Sequence, residues 1–235
     1  MKLYDMHVHT RGVSKCSRLT IDELCEALKE DGSDGMVLTN HYAPHHVDRP
    51  FKLWLKKYEN EYELTKETAK KYGLKTLFGI EVTLGGRGVQ DFLLYGVKPS
   101  CLYESDGPLW KYSLKELYEF THEQGGVFIH AHPFRNGSTP ADYRYLDGVE
   151  INCHPLYGTN CREEVTAYAK EHGLIITCGS DYHGDVYKAH CGVWLPDELE
   201  TEEELGEYLR RGQPELLIHD IDRARAEATC THRIH

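Results

Sequence analysis

Residues 5–10 read Asp-Met-His-Val-His-Thr, and the interpretation of the whole chain starts from this stretch. Together with residues 2–4 it predicts a short strand that runs through Val8. Side chains on a strand alternate between its two faces, so His7 and His9 are expected to point the same way. Neutral imidazole is a common ligand of zinc and other transition ions, and two of them supply half of a tetrahedral site. The stretch therefore predicts the first part of a metal site.

Further candidate ligands stand at or just after the ends of other predicted strands. About seven strands alternate with helices along the chain, and this alternation predicts a parallel sheet. In a closed β/α barrel the carboxyl ends of the strands converge on one rim, whereas an open sheet spreads them along a line. We therefore predict an α/β barrel whose rim gathers His7, His9, His41, Glu81, His132, Asp181 and His183.

Several helices are predicted from local signals. Thr20 with Glu23, and Ser113 with Glu116, form capping-box patterns that mark helix starts. Apolar periodicity and terminal glycines predict further helices over residues 51–72, 160–172 and 201–211.

The composition, 40% hydrophobic and 28% charged, is typical of a globular protein. The net charge of −11 argues against a broad nucleic-acid surface, because binding to a phosphate backbone needs clustered Lys and Arg. We find neither an apolar run of membrane-spanning length nor a signal peptide before the first strand, and we predict a cytoplasmic location. The eight cysteines lack a Cys-x-x-Cys motif and are interpreted as reduced thiols.

Five short motifs, taken together in their order and spacing, resemble the signature of the PHP (polymerase and histidinol phosphatase) family. The resemblance implies a distorted seven-stranded (β/α)7 TIM-like barrel, with one catalytic domain over residues 1–222 and a polar tail at 223–235. It also implies a metal-dependent phosphoesterase in which a metal-bridging hydroxide attacks the phosphate ester of a small metabolite or nucleotide. The motifs are His7-x-His9, His41, Gly79-Ile80-Glu81, Ala131-His132-Pro133 and Gly179-Ser180-Asp181-Tyr182-His183.

The same resemblance implies which residues hold the metal ions. His41 and His183 would help to hold one ion, and Glu81 would bridge to a further ion with His132. Glu81, Asp181 and His183 are accordingly predicted to be catalytic. The ligands of the remaining ion would be His7, His9, Glu81 and Asp181.

Two positions depart from the three-metal pattern of the family. Cys16 stands where some members place a His or Asp ligand; a thiolate there would favour a soft ion such as zinc, and an ordinary partly buried cysteine is an equally good interpretation. Lys98 stands where some members place a ligating His, and a lysine is a poor metal ligand. Asp91 is not expected to replace that His, because it is predicted at the end of its strand away from the metal site. We therefore predict that the site binds two divalent ions of zinc, manganese or iron, and we leave open whether it binds a third.

Arg135 follows the Ala-His-Pro motif and is predicted to clamp phosphate, because guanidinium binds phosphate through two parallel hydrogen bonds. Arg18 and His154 are further substrate-binding candidates. The histidines at 45–46 are interpreted as a solvated loop pair, and His130 as a hydrogen-bonded core residue.

Two other classes of function stay open at this point. Amidohydrolases on a similar barrel also begin with His-x-His, although they usually bridge their metals with a carboxylated lysine or a Glu. A non-catalytic, metal-stabilised binding module is the other alternative, and the near-complete set of convergent ligands argues against it. The predicted partner is a small phosphorylated substrate, and the oligomeric state is left open.

Overall fold

The computed structural model describes residues 1–85, 90–184 and 186–221. The predicted tail at 223–235, together with the domain boundary before it, lies outside these residues. The strands are β1 (Lys2–Val8), β2 (Gly35–Leu38), β3 (His41–Tyr42), β4 (Lys75–Leu84), β5 (Gln90–Tyr95), β6 (Val127–His130), β7 (Gly148–Asn152), β8 (Ile175–Gly179), β9 (Gly192–Leu195) and β10 (Glu215–Leu217). The α-helices are α1 (Ile21–Asp31), α2 (Phe51–Lys71), α3 (Leu114–Glu123), α4 (Arg162–His172) and α5 (Glu202–Arg210).

The helix starts follow from local chemistry. Both predicted capping boxes are present: the Thr20 and Ser113 side chains accept from backbone N–H groups of α1 and α3. A third capping box, between Thr201 and Glu204, opens α5. Each box satisfies backbone donors that the first turn leaves without helical partners.

The sheet curls into a nearly closed barrel, which confirms the predicted TIM-like fold. The hydrogen-bonded order is β10-β9-β1-β2-β4-β5-β6-β7-β8, and β3 pairs with β4. Closure occurs where a bridge joins Val8 to Tyr182 and the Asp181 N–H donates to the His7 carbonyl at 2.7 Å. The wall holds the seven predicted strands, whereas β3, β9 and β10 are short additions that bring the described strands to ten.

The direction of β5 corrects the prediction of an all-parallel sheet. β5 runs antiparallel to both β4 and β6, with Tyr95 opposite Gly79 on one side and Val127 on the other. Only residues 85–89 connect β4 to β5. A connection of this length makes a hairpin, since a parallel return needs a crossover of a dozen or more residues.

The end of the barrel away from the predicted ligands is covered by α5. Leu93 and Ile129 face each other on β5 and β6, and their apolar cluster extends to Leu205 and Leu209 of this helix. Arg210 Nη1 donates to the Gly125 carbonyl at 2.6 Å, just before β6 begins. Within the described residues, no helix combines the length and the apolar character needed to cross a membrane.

Candidate metal centre

The first strand delivers His7 and His9 to the rim. The β1–β2 ladder shifts register between Asp5 and Val8, and such bulges re-aim side chains next to active sites. The two imidazoles lie 5.0 Å apart between ring centroids, and neither residue has exposed surface. The predicted pair therefore forms and faces the interior.

The closure of the barrel places Asp181 beside this pair. Its Oδ1 lies 3.1 Å from His9 Nε2 and 3.5 Å from His7 Nε2. Gly179 makes the approach of the two strands possible, because a Cβ at this position would lie 2.4 Å from the Cβ of His7. Asp181 itself has a φ of 53°, and backbone strain of this kind clusters at functional sites.

Glu81 occupies the middle of the centre. The β3–β4 register sets it opposite His41, whose Nδ1 lies 2.6 Å from Oε2 of the carboxylate. Its other oxygen, Oε1, lies 3.3 Å from Nε2 of His7 and 3.3 Å from Nε2 of His132. One carboxylate thus contacts imidazoles on three strands or their following loops, the placement that a bridging ligand needs.

His7, His9 and Asp181 form a first donor group. Contrary to the expectation from the sequence, Asp91 joins Glu81 and His132 in a second donor group. Asp91 Oδ2 lies 3.9 Å from His132 Nε2. Because β5 is antiparallel, its first residues lie at the rim and its last residues at the opposite end. Lys98 is therefore remote from the site, where it forms an ion pair with Glu203.

A third donor group consists of His9, His41 and His183, with Cys16 next to it. The His41 and His183 Nε2 atoms are 3.4 Å apart. Desolvation opposes ionisation of Cys16, but hydrogen bonds from His183 and His41 lower the pKa of its thiol to about 6. A thiol with this pKa is available as a thiolate near neutral pH.

Only one histidine of the pair at 45–46 is exposed, which corrects the expectation that both are solvated. His46 is buried, stacks on His41 at 4.8 Å between ring centroids, and accepts the Lys15 N–H at Nδ1. His45 is exposed. His130 is buried and accepts the Ala141 N–H at Nδ1, as expected of a core histidine.

The charges of the centre depend on one another. Burial alone would raise the pKa of Glu81, but His41 and His7 hold it well below its ordinary value. His7 and Arg135 do the same for Asp181 against the effect of burial. Burial and the neighbouring imidazoles of His183 and His41 lower the pKa of His9, which favours its neutral, metal-binding form.

The donor set fits divalent metal ions. Three of its atoms, His7 Nε2, His41 Nδ1 and Glu81 Oε2, are buried and lack a partner in good hydrogen-bond geometry, although His41 Nδ1 and Glu81 Oε2 are only 2.6 Å apart. Buried polar groups are normally satisfied, so these three call for a further partner that accepts their lone pairs. A cation bound by nitrogen and oxygen lone pairs supplies it.

Of the three predicted substrate-binding residues, Arg135 and His154 line a cavity at the site, whereas Arg18 does not. Arg135 Nη2 donates to Asp181 Oδ2 and to Asn152 Oδ1, both at 2.6 Å, and the guanidinium stacks on Tyr157. Arg18 is exposed, and only its backbone N–H contacts the site, at the His183 carbonyl. A cavity of about 330 Å³ is lined by Cys16, His41, Glu81, Asp91, His132, Arg135, His154, Leu156, Tyr157, Asp181 and His183.

Sequence reasoning missed Glu150 on β7. Its carboxylate is fully buried and lies 2.8 Å from His7 Nδ1. A carboxylate between the apolar Val149 and Ile151 in the predicted strand 148–151 was the available signal, because charged residues are rarely buried without a partner.

Comparison with known proteins agrees with the fold. The PHP domain family model matches residues 5–213, and no curated protein sequence gives a match. PsfC from Pseudomonas syringae PB-5123 has a TM-score of 0.68 at 19% identity, covering 99% of this chain and 97% of that chain. A protein from Bifidobacterium adolescentis assigned as a metal-dependent phosphoesterase has a TM-score of 0.57 at 20% identity, covering 89% and 96%.

A third similar structure is an amidohydrolase from Chromobacterium violaceum with bound sulfate and no metal. Its TM-score is 0.58 at 16% identity, covering 94% of this chain and 99% of that chain. These likenesses show the fold, and the family model, which covers most of the chain, shows the family. The chain therefore belongs to the PHP domain family and is a metal-dependent hydrolase.

Proposed function

We propose that the protein hydrolyses a phosphate ester of a small metabolite or nucleotide. The observation that carries the proposal is the convergence of three donor groups on Glu81 beneath one cavity of about 330 Å³. Divalent cations bound there would lower the pKa of water and neutralise phosphoryl oxygens, the two tasks of phosphate hydrolysis. The cavity matches the lower end of the usual size range of small-molecule sites.

We assign the ligands by donor group. The first group comprises His7, His9 and Asp181; the second comprises Glu81, Asp91 and His132. The third is formed by His9, His41 and His183, with Cys16 in reach. Since Asp91 restores the second group, the residues support three ions rather than two, and the mixed nitrogen, oxygen and sulfur donors suit zinc, iron or manganese.

Arg135 has two roles in this proposal. It holds Asp181 through a short charged hydrogen bond, and it lines the cavity where a phosphoryl group would lie. Its guanidinium stays fixed because Asn152 and Tyr157 also hold it. His154 also lines the cavity, while the exposed Arg18 is absent from the lining.

The test is elemental analysis of the purified protein beside a phosphate-release screen on phosphomonoesters and nucleotides with added manganese, zinc or iron. His7→Ala and Asp181→Asn should lose metal and phosphate release together, and Asp91→Asn should lose one ion per chain. His190→Ala, outside the donor groups, is the matched control. Full metal content and turnover in His7→Ala would show that the site is wrongly assigned.

The amidohydrolase alternative rests on the name of the Chromobacterium protein and on the shared barrel. Among the described residues that line the cavity there is no lysine to serve as a carboxylated bridge, and Glu81 holds the central position. Bound metal with hydrolysis of amides and without release from any phosphate ester would favour this alternative. Absence of both activities would favour a binding module.

A further inference from the structure

Three cysteines gather in the barrel wall, apart from the candidate metal centre. The Sγ atoms of Cys153, Cys178 and Cys191 all lie within 4.8 Å of one another, and those of Cys153 and Cys178 are 3.7 Å apart. None of the three residues has exposed surface. The catalytic proposal makes no use of this thiol cluster.

The thiol cluster lies where the barrel wall lacks a strand ladder. Cys153 follows β7, Cys178 belongs to β8 and Cys191 precedes β9. In the part of the chain that the structure describes, β8 pairs with β7, and β9 pairs with β1 and β10, but no ladder joins β8 to β9. The cluster therefore spans the seam of the barrel.

The sulfur spacing fits a metal site. Zinc–sulfur bonds of about 2.3 Å put neighbouring sulfurs of a tetrahedral site roughly 3.8 Å apart. The Cys153–Cys178 distance of 3.7 Å already matches one such edge. The third sulfur lies within 4.8 Å, so a contraction of about 1 Å completes the triangle. Soft thiolate ligands select zinc and copper(I).

One thiol of the cluster is stabilised as a thiolate, whereas the other two are not. Hydrogen bonds from the other two thiols lower the pKa of Cys153 well below its ordinary value, and the backbone of His219 adds to this effect. The neighbouring Cys153 and burial raise the pKa of Cys178, and burial raises that of Cys191. The buried ammonium of Lys188 lies close enough to Cys191 to interact with its charge. The single S–H of Cys178 can donate either to Cys153 or to the Leu217 carbonyl, which lies 3.4 Å from its sulfur, and this proton leaves when a cation binds.

We propose that Cys153, Cys178 and Cys191 form a second metal site, which holds one thiophilic closed-shell cation, Zn²⁺ or Cu⁺, and cross-links β7, β8 and β9. Binding replaces three S–H bonds by three metal–sulfur bonds, and the three protons pass to solvent. The site is independent of the proposed catalytic function.

The probe for this site is Cd²⁺ added to the reduced, metal-depleted full-length protein. All variants carry Cys16→Ser, because Cys16 lies at the candidate metal centre and would itself bind Cd²⁺ through sulfur. We expect a cadmium–thiolate ultraviolet band that saturates at one ion per chain and disappears in Cys16→Ser/Cys178→Ala. Cys16→Ser/Cys25→Ala is the matched control, since Cys25 is equally buried but lies outside the thiol cluster.

Competition of the band by Zn²⁺ or by Cu⁺ then identifies the preferred cation. An unchanged band in the Cys178→Ala variant, or no band in Cys16→Ser, would overturn the proposal. So would a Cys153–Cys178 disulfide in protein isolated without reductant. If Cys178→Ala does not fold, X-ray absorption of cadmium in the Cys16→Ser protein decides: three sulfur neighbours support the site, and two or fewer overturn it.

Discussion

His7 Nδ1 lies 2.8 Å from Glu150 Oε1, and neither side chain has exposed surface. A hydrogen bond from Nδ1–H to this carboxylate leaves Nε2 facing the carboxylates of Glu81 and Asp181, where it could share a cation with them. The other oxygen of Glu150 accepts the His132 N–H at 3.2 Å and the Asn152 amide at 3.0 Å. Glu150 thus fixes a ring on β1 and a backbone segment after β6 at once.

The first prediction concerns Glu150→Gln. The amide keeps the shape of the side chain but weakens the bond that orients His7, and loss of such supporting partners lowers metal affinity roughly 10–100-fold. Competition with a chromophoric chelator measures the change. The exposed Glu198→Gln is the control, and equal metal affinity in the two variants would contradict the role of Glu150.

The second prediction concerns Lys188, a buried cation behind the first strand. Its Nζ lies 2.8 Å from Asp5 Oδ2, and Asp5 accepts the His7 and Ser180 N–H groups. Lys188→Met leaves the carboxylate of Asp5 buried without its cation, and removal of one partner from a buried pair costs about 3–5 kcal/mol.

Urea unfolding measures this loss against the exposed Lys170→Met. Lys188 also pairs with Asp31, so Asp5→Asn combined with Lys188→Met should recover only part of the free energy of unfolding: the fully buried charge of Asp5 is removed and that of Asp31 stays. Equal stability of Lys188→Met and Lys170→Met would show that the pair contributes nothing.

The third prediction separates the two arginines that the sequence offered for phosphate. Arg135→Lys keeps the charge but cannot hold Asp181 and Asn152 together, and hydrogen bonds to charged groups contribute about 1.5–3 kcal/mol. We expect kcat/KM for phosphate release to fall roughly 10–100-fold. Arg18→Lys should leave it nearly unchanged, because Arg18 is exposed. Equal effects of the two substitutions would refute the distinction.

The fourth prediction concerns pH. Burial, together with the nearby His132, lowers the pKa of His130 from 6.5 to about 3. Below pH 6.5 the unfolded chain binds a proton at this residue that the folded chain does not. The free energy of unfolding should therefore fall as the pH drops from 6.5 towards 3. Well between these two pKa values the slope is about 1.4 kcal/mol per pH unit.

His130→Gln retains an acceptor for the Ala141 N–H but does not titrate. In metal-depleted protein, the loss of unfolding free energy between pH 7.5 and pH 5 should be smaller in this variant by about 2 kcal/mol. Urea titrations at the two pH values measure the difference. The same loss in both proteins would mean that His130 does not cause it.

The sequence by itself determined the five α-helices that the structure describes, the seven strands of the barrel wall and the order of the ligands along them. Capping boxes at Thr20 and Ser113 act within four residues, and the ligands follow strand ends that short-range patterns identify. The family resemblance carried by His7, His9 and the later motifs pointed to the PHP domain, which the match over residues 5–213 confirms.

The short connection at 85–89 already requires β5 to run antiparallel to β4, and the structure shows that this direction puts Asp91 at the rim. Only the closure of the barrel gave Glu150 on β7 its partner His7 on β1, and only the seam between β8 and β9 gathered the three buried thiols. The partners of buried groups depend on segments far apart in the chain, and a local pattern of residues does not encode them.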